Sequence, residues 1–478
     1  MKLLLSALEP SSNLHAKEVI FHIAKTLYKQ GKIQSKTSKE IPPKIEIIGI
    51  FDKYLQEQIL LQYATSAEFR DFIVSNVTFS PLFCSQDFSI MGFVDVVKKI
   101  PFLLKARKCL LKSATQVDKI LFLDSSSFHI PLAKKIKAES IKAPIYYYIL
   151  PQVWAWKQWR TKVLECVFDR LLAILPFEVD YYSAEARNNQ KVRFVGHPLL
   201  DELDFEAVSY REKQMQTKAS AIKEKNNTGQ DINHIVFMPG SRQGEIKRIF
   251  PTFVQVAQML QSYQSIKEIT KNNTAKHTKH SPKIILKTLV IPAFFAKKTL
   301  SELESIYGNL SDFKLSFDAQ KSLKEADFAF ICSGTATLQA ALLATPFVLC
   351  YKVARLDYFI ARAFVKLKYI GLANIFYNAL CGEPAGRGES KMHQELIQED
   401  MNAQNLICAY NKEIQRAENG HFIACAKALW EYLSTNNCNE KNNNNDDKIL
   451  NNSKTLHKNA TKIYRGSAQN VANMLLMD

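Results

Sequence analysis

Short apolar runs alternating with stretches of helical period, a rhythm that starts twice along the chain, constrain this sequence more than any other feature. Residues 2–8 form a β-rich run. After a polar loop, Val19, Ile20, Ile23 and Leu27 recur at the spacing of one helix face. Further runs at 45–50, 120–123, 145–150 and 171–175 are short, rich in Ile, Leu, Tyr or Phe, and apolar on both faces. Strands of a parallel sheet covered by helices on both sides read this way. After Phe194-Val195-Gly196-His197-Pro198 the rhythm begins again, with runs at 235–238, 284–291, 313–317, 328–332 and 347–351. The expected fold class is α/β, with two Rossmann-like doubly wound domains. Residues 1–199 make the first, 200–433 the second, and 434–478 a low-complexity insertion followed by a C-terminal helix.

Composition narrows the class. The chain has 478 residues, 47% apolar and 23% charged, which suits a soluble globular protein and excludes a disordered or collagen-like one. Its net charge of +17 favours an anionic partner: nucleic acid, a phosphorylated substrate or an acidic membrane face. Part of that charge lies in 212–231, 267–283 and 434–458, segments rich in Lys, Asn and Thr and poor in apolar residues. They are expected to be solvated insertions, and they dilute any single basic patch. The nine cysteines are odd in number, scattered and without a C-x-x-C pair, so neither a disulfide framework nor a cysteine zinc site is suggested. A reducing compartment fits. The start, Met1-Lys2-Leu3-Leu4-Leu5-Ser6-Ala7-Leu8, is too short for a signal-peptide core and reads as a first strand. The longest apolar stretch, 347–365, is broken by Lys352, Arg355, Asp357 and Arg362, so membrane contact, if any, is expected to be peripheral.

In open α/β sheets ligands gather where strands end and helices begin. Four such junctions carry chemistry. The first, Leu8-Glu9-Pro10-Ser11-Ser12-Asn13, offers Ser12 or Asn13 as a helix cap beside a carboxylate. The second, Leu123-Asp124-Ser125-Ser126-Ser127-Phe128-His129, puts a carboxylate at the end of an apolar strand. Partial burial there raises a pKa toward the range of a general base, although a helix cap explains Asp124 equally well. The third, Pro239-Gly240-Ser241-Arg242-Gln243-Gly244-Glu245, joins a glycine-bounded turn and a helix start to a permanently charged donor fork, a combination suited to diphosphate. The fourth, Ser333-Gly334-Thr335-Ala336-Thr337-Leu338-Gln339, is a small, hydroxyl-bearing loop before an alanine-rich helix, fit for phosphate or for tight helix packing.

Several familiar signatures are missing from the sequence: a P-loop, a G-x-G-x-x-G at the first strand, an Asp-x-Asp pair and H-E-x-x-H. No cofactor and no metal is implied; a leaving diphosphate would be stabilised by Arg242 and by helix N-termini. Two further stretches stand out. Pro151-Gln152-Val153-Trp154-Ala155-Trp156-Lys157-Gln158-Trp159-Arg160 gathers three of the four tryptophans, suited either to an amphiphile site or to core packing. Residues 91–108 combine apolar bulk with several cations, as an interfacial helix on anionic lipid or a surface helix does.

Taken together, Met91-Gly92-Phe93, Asp124, Pro151-Gln152-Val153-Trp154-Ala155-Trp156, Leu175-Pro176-Phe177-Glu178, Phe194-Val195-Gly196-His197-Pro198, Pro239-Gly240-Ser241-Arg242, Ser333-Gly334-Thr335-Ala336-Thr337-Leu338, Tyr369-Ile370-Gly371-Leu372-Ala373-Asn374 and Glu395-Leu396-Ile397-Gln398 run in order along nearly the whole chain. In this combination the chain resembles the lipid A disaccharide synthase family, inverting glycosyltransferases of GT-B architecture with two domains facing a cleft. The resemblance implies transfer of 2,3-diacylglucosamine from its UDP derivative to 2,3-diacylglucosamine 1-phosphate, giving a β-1,6-linked disaccharide 1-phosphate and UDP. It implies Asp124 as the catalytic carboxylate. It implies a UDP site of Gly240, Ser241, Arg242, Ser333, Gly334, Thr335, Ala336, Thr337, Gln339 and Asn374, with Glu9, Ser12 and Asn13 on the acceptor side. The partners so implied are the two acyl sugars, an anionic membrane surface on the cytoplasmic, inner face of the bacterial inner membrane, and a possible homodimer, with no nucleic acid.

The chain departs from the family pattern in places. The first loop keeps the glutamate and one serine of the usual Gly-Glu-Ala-Ser-Gly-Asp but loses both glycines and the aspartate. Gln339 stands where a glutamate is usual; its amide can bond a ribose hydroxyl without charge. The loop Gly382-Glu383-Pro384-Ala385-Gly386-Arg387-Gly388 is extended, as a lid or a plain loop. Rival readings are a sugar-nucleotide transferase or epimerase with another acceptor, a nucleic-acid binder whose affinity falls steeply with salt, and a membrane scaffold without turnover.

Overall fold

Parallel pairing throughout accounts for runs that are apolar on both faces. The computed structural model describes residues 1–34, 44–64, 66–88, 93–223, 232–274, 284–292, 295–354, 358, 367–435, 464 and 466–477. They fall into two units, one of residues 1–202 with 433–478 and one of residues 203–432.

In the first unit the strands are β1 (Lys2–Ala7), β2 (Ile45–Phe51), β3 (Val77–Cys84), β4 (Lys119–Leu123), β5 (Ile145–Tyr148), β6 (Arg170–Ala173) and β7 (Val192–Phe194), in spatial order β3-β2-β1-β4-β5-β6-β7. The chain order reverses between β1 and β4, the point in such sheets where ligands bind beyond the carboxyl ends of the strands. Side chains of β1 alternate between two cores. Leu3, Leu5 and Ala7 pack toward the helix Pro10–Gln34 and the closing helix Ala468–Met477. Leu4 packs on the opposite side with Leu110, Phe128, Leu132 and Ile136, from the helices Phe93–Ala114 and Ser126–Ala138. That two-residue period is what holds the register: a slip by one residue would send each set to the wrong face.

In the second unit the strands are β8 (Ile232–Met238), β9 (Ile284–Val290), β10 (Lys314–Ser316), β11 (Phe328–Cys332), β12 (Phe347–Tyr351) and β13 (Glu395–Ile397), in order β10-β9-β8-β11-β12-β13. The order reverses between β8 and β11. Stacked Phe237 and Phe330, with Phe253 and Phe313 around them, fill the core beneath that point.

Three strands were not foreseen. β3 carries Ser80 and Pro81, alternates poorly in burial and sits at a sheet edge, where a missing N–H is tolerated. β7 and β13 have only three residues each, too few to show a period.

Residues 212–223, expected as part of a solvated insertion, instead complete the helix Glu206–Lys223. Side chains early in that helix tie it down. The Arg211 guanidinium donates to the main-chain oxygens of Leu343 and Leu323 at 3.0 and 2.8 Å, and Glu212 pairs with Lys427 at 2.7 Å. Residues 267–274 likewise extend the helix Gln243–Thr274. Residues 224–231, 275–283 and 436–463 lie outside the described residues, as do Met91 and Gly92 of the first family word. The closing helix packs on Pro10–Gln34 and belongs to the first unit, with Val471, Ala472 and Leu475 fully buried. No helix among the described residues is long and apolar enough to cross a membrane.

Candidate active site

In the first unit the loop after β4 is tightly constrained. Asp124 and Ser125 are both left-handed, with φ of 51° and 46°. Two consecutive residues other than glycine there cost on the order of 1 kcal/mol each or more and persist only where the surroundings over-determine them. The bonds that do so converge on one residue. The Asp124 N–H donates to the Tyr148 oxygen at 3.0 Å. The Asp124 oxygen accepts from His129 Nδ1 at 2.8 Å and from the Tyr147 hydroxyl at 2.9 Å.

His129 is fully buried, lies parallel to Phe122 with ring centroids 4.6 Å apart, and places Nε2 2.8 Å from the Ser6 hydroxyl of β1. Burial lowers its pKa to about 4, so the ring is neutral at physiological pH. Donation from Nδ1 then leaves Nε2 as the acceptor for Ser6. With both nitrogens engaged inside the core, His129 presents nothing to a ligand. It fixes the loop. The Asp124 carboxyl, by contrast, is half-buried, and burial raises its pKa, offset in part by the Ser125 amide and by His15.

The first loop sorts into separate roles. Asn13 is buried; its amide donates to the oxygens of Ala7 and Glu9 at 3.0 and 2.8 Å, and its Oδ1 accepts from Asp52 N at 2.7 Å. It ties the end of β1 to the residue after β2. Glu9 is exposed, and the Ser12 hydroxyl is buried with no hydrogen-bond partner among the described residues.

The second unit supplies two strand ends. After β8, Gly240 has φ of 108°, and a Cβ on it would stand 2.7 Å from Glu245 Oε2 and 3.2 Å from Cys332 Sγ. Only glycine lets the chain turn there. The Glu245 carboxylate accepts from the N–H groups of Ser241 and Arg242, both at 3.3 Å, so the donors expected for a phosphate already face an internal carboxylate. Arg242 itself extends outward; its side chain is 84% exposed and Nη1 lies 3.6 Å from Glu245 Oε1.

After β11, Gly334 has φ of 145° and open space where a side chain would be, and it precedes the helix Thr335–Leu342 with no side-chain cap. Ser333, Gly334, Thr335 and Ala336 are at least partly exposed, as is Gln339. Thr337 is buried and returns its hydroxyl to the Gly334 oxygen at 2.8 Å.

Asn374 is fully buried. Its amide donates to the His393 oxygen at 3.0 Å and to Glu395 Oε1 at 2.8 Å, while Oδ1 accepts from Met392 N at 2.8 Å and His393 N at 3.2 Å. Glu395, whose pKa burial raises, also accepts from Ile370 N and Gly371 N. The pair binds β13 to the start of the helix Leu372–Leu380. The extended loop is fastened by the same device: Asn378 accepts from Gly388 N at 3.2 Å, and Glu383 accepts from Ser390 N at 3.0 Å.

His129, Tyr147, Ser6 and Glu395 are the residues that sequence reading missed. His129 and Glu395 stood inside motifs already singled out, but nothing local shows that a histidine five residues beyond Asp124 turns back onto that residue's own carbonyl. Ser6 and Tyr147 lie inside apolar strand runs, where a hydroxyl gives no signal.

The family model and the sequence relatives agree with one another. The model of the family described as lipid-A-disaccharide synthetase matches residues 3–429. The lipid-A-disaccharide synthase of Helicobacter pylori strain Shi470 is 42% identical over 434 residues, covering 91% of this chain and 94% of that protein. That of Campylobacter jejuni strain RM1221 is 37% identical, covering 90% and 95%. Among solved structures, a putative UDP-N-acetylglucosamine 2-epimerase from Listeria monocytogenes is 10% identical with a TM-score of 0.44, covering 94% of this chain and 99% of that one.

Proposed function

The chain belongs to the lipid-A-disaccharide synthetase family, and from that premise we propose how its residues divide the reaction. The enzyme is a glycosyltransferase: 2,3-diacylglucosamine leaves UDP and joins the 6-hydroxyl of 2,3-diacylglucosamine 1-phosphate, with inversion at the anomeric carbon, giving a β-1,6-linked disaccharide and UDP. The hydroxyl attacks from the face opposite the diphosphate, so one group must take its proton while positive charge spreads over the donor ring.

Asp124 takes that proton. The observation that carries this reading is a half-buried carboxyl of raised pKa on a doubly left-handed turn at the switch point of the first sheet. Such a group is a better base near neutral pH than an ordinary aspartate. Arg242 meets the diphosphate as its charge grows, its guanidinium being 84% exposed and able to turn from Glu245 to form two charge-assisted bonds. The N–H groups at Ser333, Gly334, Thr335 and Ala336 assist from the helix start, and Gly240 and Ser241 hold the loop beneath Arg242. Gln339 reaches the ribose. Thr337 and Asn374 serve by shaping these loops. Glu9 and Ser12 face the acceptor, with Asn13 bracing them. An enzyme that acts on acylated sugars would work peripherally at the cytoplasmic face of the inner membrane, and a homodimer is compatible with this division.

Incubating the purified protein with both acylated sugars, without added metal, and weighing the products tests the reading. The disaccharide 1-phosphate and UDP are expected in equal amounts. UDP release without disaccharide would reject Asp124 as the base for an acceptor hydroxyl.

A further inference from the structure

The acceptor carries a phosphate of its own, and nothing above receives it. The tryptophan-rich motif does not form one core cluster: Val153, Trp154 and Ala155 are buried, whereas Trp156 and Trp159 are 43% and 65% exposed. The buried half anchors a turn that holds the other half in solvent. The Arg160 N–H donates to the Lys157 oxygen at 2.9 Å, and the Thr161 N–H to the Gln158 oxygen at 3.0 Å.

Two cations lie over the outward rings. Lys157 Nζ stands 3.9 Å from the centre of Trp156, and the Arg160 guanidinium is 6.0 Å from Trp156 and 5.8 Å from Trp159. Neither cation has a carboxylate partner among the described residues. Ile149, just after β5, and Lys157 are both left-handed, with φ of 63° and 54°. The chain therefore accepts strain where it leaves β5 and again within the turn that presents these groups, and a β-branched residue at positive φ is a genuine outlier.

The turn leaves the carboxyl end of β5, the neighbour of β4. Leu123 pairs with Tyr148, and Tyr148 accepts the Asp124 N–H. Arg107, another cation of the first unit, is committed: it donates to the Ser127 oxygen at 2.7 Å and lies 5.0 Å over Phe128.

We propose that the turn of residues 156–160 is the seat of the acceptor's phosphate, with Arg160 and Lys157 taking the phosphate oxygens and Trp156 and Trp159 lying against the acylated sugar. Arginine's planar fork matches a phosphate, and indole offers an apolar face that needs no deep pocket. Both demands of a phosphorylated amphiphile are met within five residues, in the segment that follows β5, the strand beside β4, which Asp124 follows. The proposal rests on the transferase reading and adds to it the group that recognises the acceptor's charged end.

The test measures steady-state transfer in neutral detergent micelles with two acceptors, 2,3-diacylglucosamine 1-phosphate and the same sugar bearing a 1-O-methyl group. Wild type is compared with Arg160→Ala/Lys157→Ala and with Trp159→Ala; Trp159→Phe checks that an aromatic face suffices. Loss of the cations is expected to raise KM for the phosphorylated acceptor about 10- to 100-fold, leaving KM for the donor and for the methyl glycoside unchanged. An equal rise for both acceptors, or none, overturns the proposal. So does loss of adsorption to phosphatidylglycerol vesicles with unchanged KM in micelles, which would assign the turn to the bilayer surface. Wild-type protein that makes no disaccharide from either acceptor would instead reject the transferase reading, and the proposal with it.

Discussion

His129 donates from Nδ1 to the main-chain oxygen of Asp124, 2.8 Å away, while its other nitrogen rests on Ser6 of the neighbouring strand. A buried neutral imidazole therefore clamps the peptide that aims the carboxyl. His129→Ala leaves the Asp124 oxygen with one partner, Tyr147, and removes the stack on Phe122. It is expected to cost about 1–3 kcal/mol of stability, and kcat should fall more than either substrate's KM rises. His129→Asn, whose amide can still donate to that oxygen, should recover part of kcat. Thermal melting and steady-state kinetics read both effects.

The same loop sets a pH dependence. Burial raises Asp124 above its unfolded value, so its contribution to stability is greatest when protonated and declines as pH rises through the folded pKa. Catalysis has the opposite need, because the base must be ionised. The acid limb of kcat/KM is thus expected above the usual aspartate range. Asp124→Asn should melt no lower than wild type at neutral pH yet lose about a hundredfold or more in kcat. A fully active Asp124→Asn would remove it as the base.

Two residues expected at the nucleotide should separate cleanly. Arg242 is 84% exposed, so Arg242→Ala should leave the melting temperature unchanged and reduce kcat/KM for the donor about 10- to 1,000-fold. Both ends of the Asn374 amide bond to groups within the protein, so Asn374→Ala should leave the amides of Met392 and His393 and the Glu395 carboxylate short of partners. Its main effect should be a loss of several kcal/mol of stability, read by denaturant titration, with UDP affinity falling only as β13 loosens.

That contrast marks what a sequence can carry. The two sheets were legible because parallel strands buried on both faces leave continuous apolar runs, as at β4 and β12. Asp124 and Arg242 could be picked out as candidates because strand ends are where such sheets put chemistry. The buried bonding of Asn374 was not legible, since an asparagine reads alike whether its amide faces a ligand or spans two buried segments. Residues 212–223 look too polar to order, and it takes Arg211, reaching main-chain oxygens more than a hundred positions away, to hold their helix in place. Chain-distant bonds of this kind leave no local trace.

The closing helix offers a last case. Asp201 Oδ2 accepts from the N–H groups of Ser467 and Ala468 at 2.9 and 3.0 Å, capping the helix Ala468–Met477 where it meets the first unit. Gly466 passes so close that a Cβ would fall 2.4 Å from the Asp201 carboxylate, and Gly196, with φ of 97°, lies against the Gly466 oxygen. This crossing explains why glycine stands in Phe194-Val195-Gly196-His197-Pro198. Burial outweighs the capping bonds and raises Asp201 to about 6. An acid raised in the folded state stabilises fully below its unfolded value, and that contribution is lost as pH rises through the folded one. Wild type should therefore lose stability relative to Asp201→Asn between about pH 4 and pH 6, by at most about 3 kcal/mol for a shift of roughly two units. Amide exchange at Val471 and Leu475, corrected for intrinsic rates, should quicken over the same interval in wild type and stay level in Asp201→Asn. Parallel curves for the two proteins would show that this carboxyl does not govern docking of the tail.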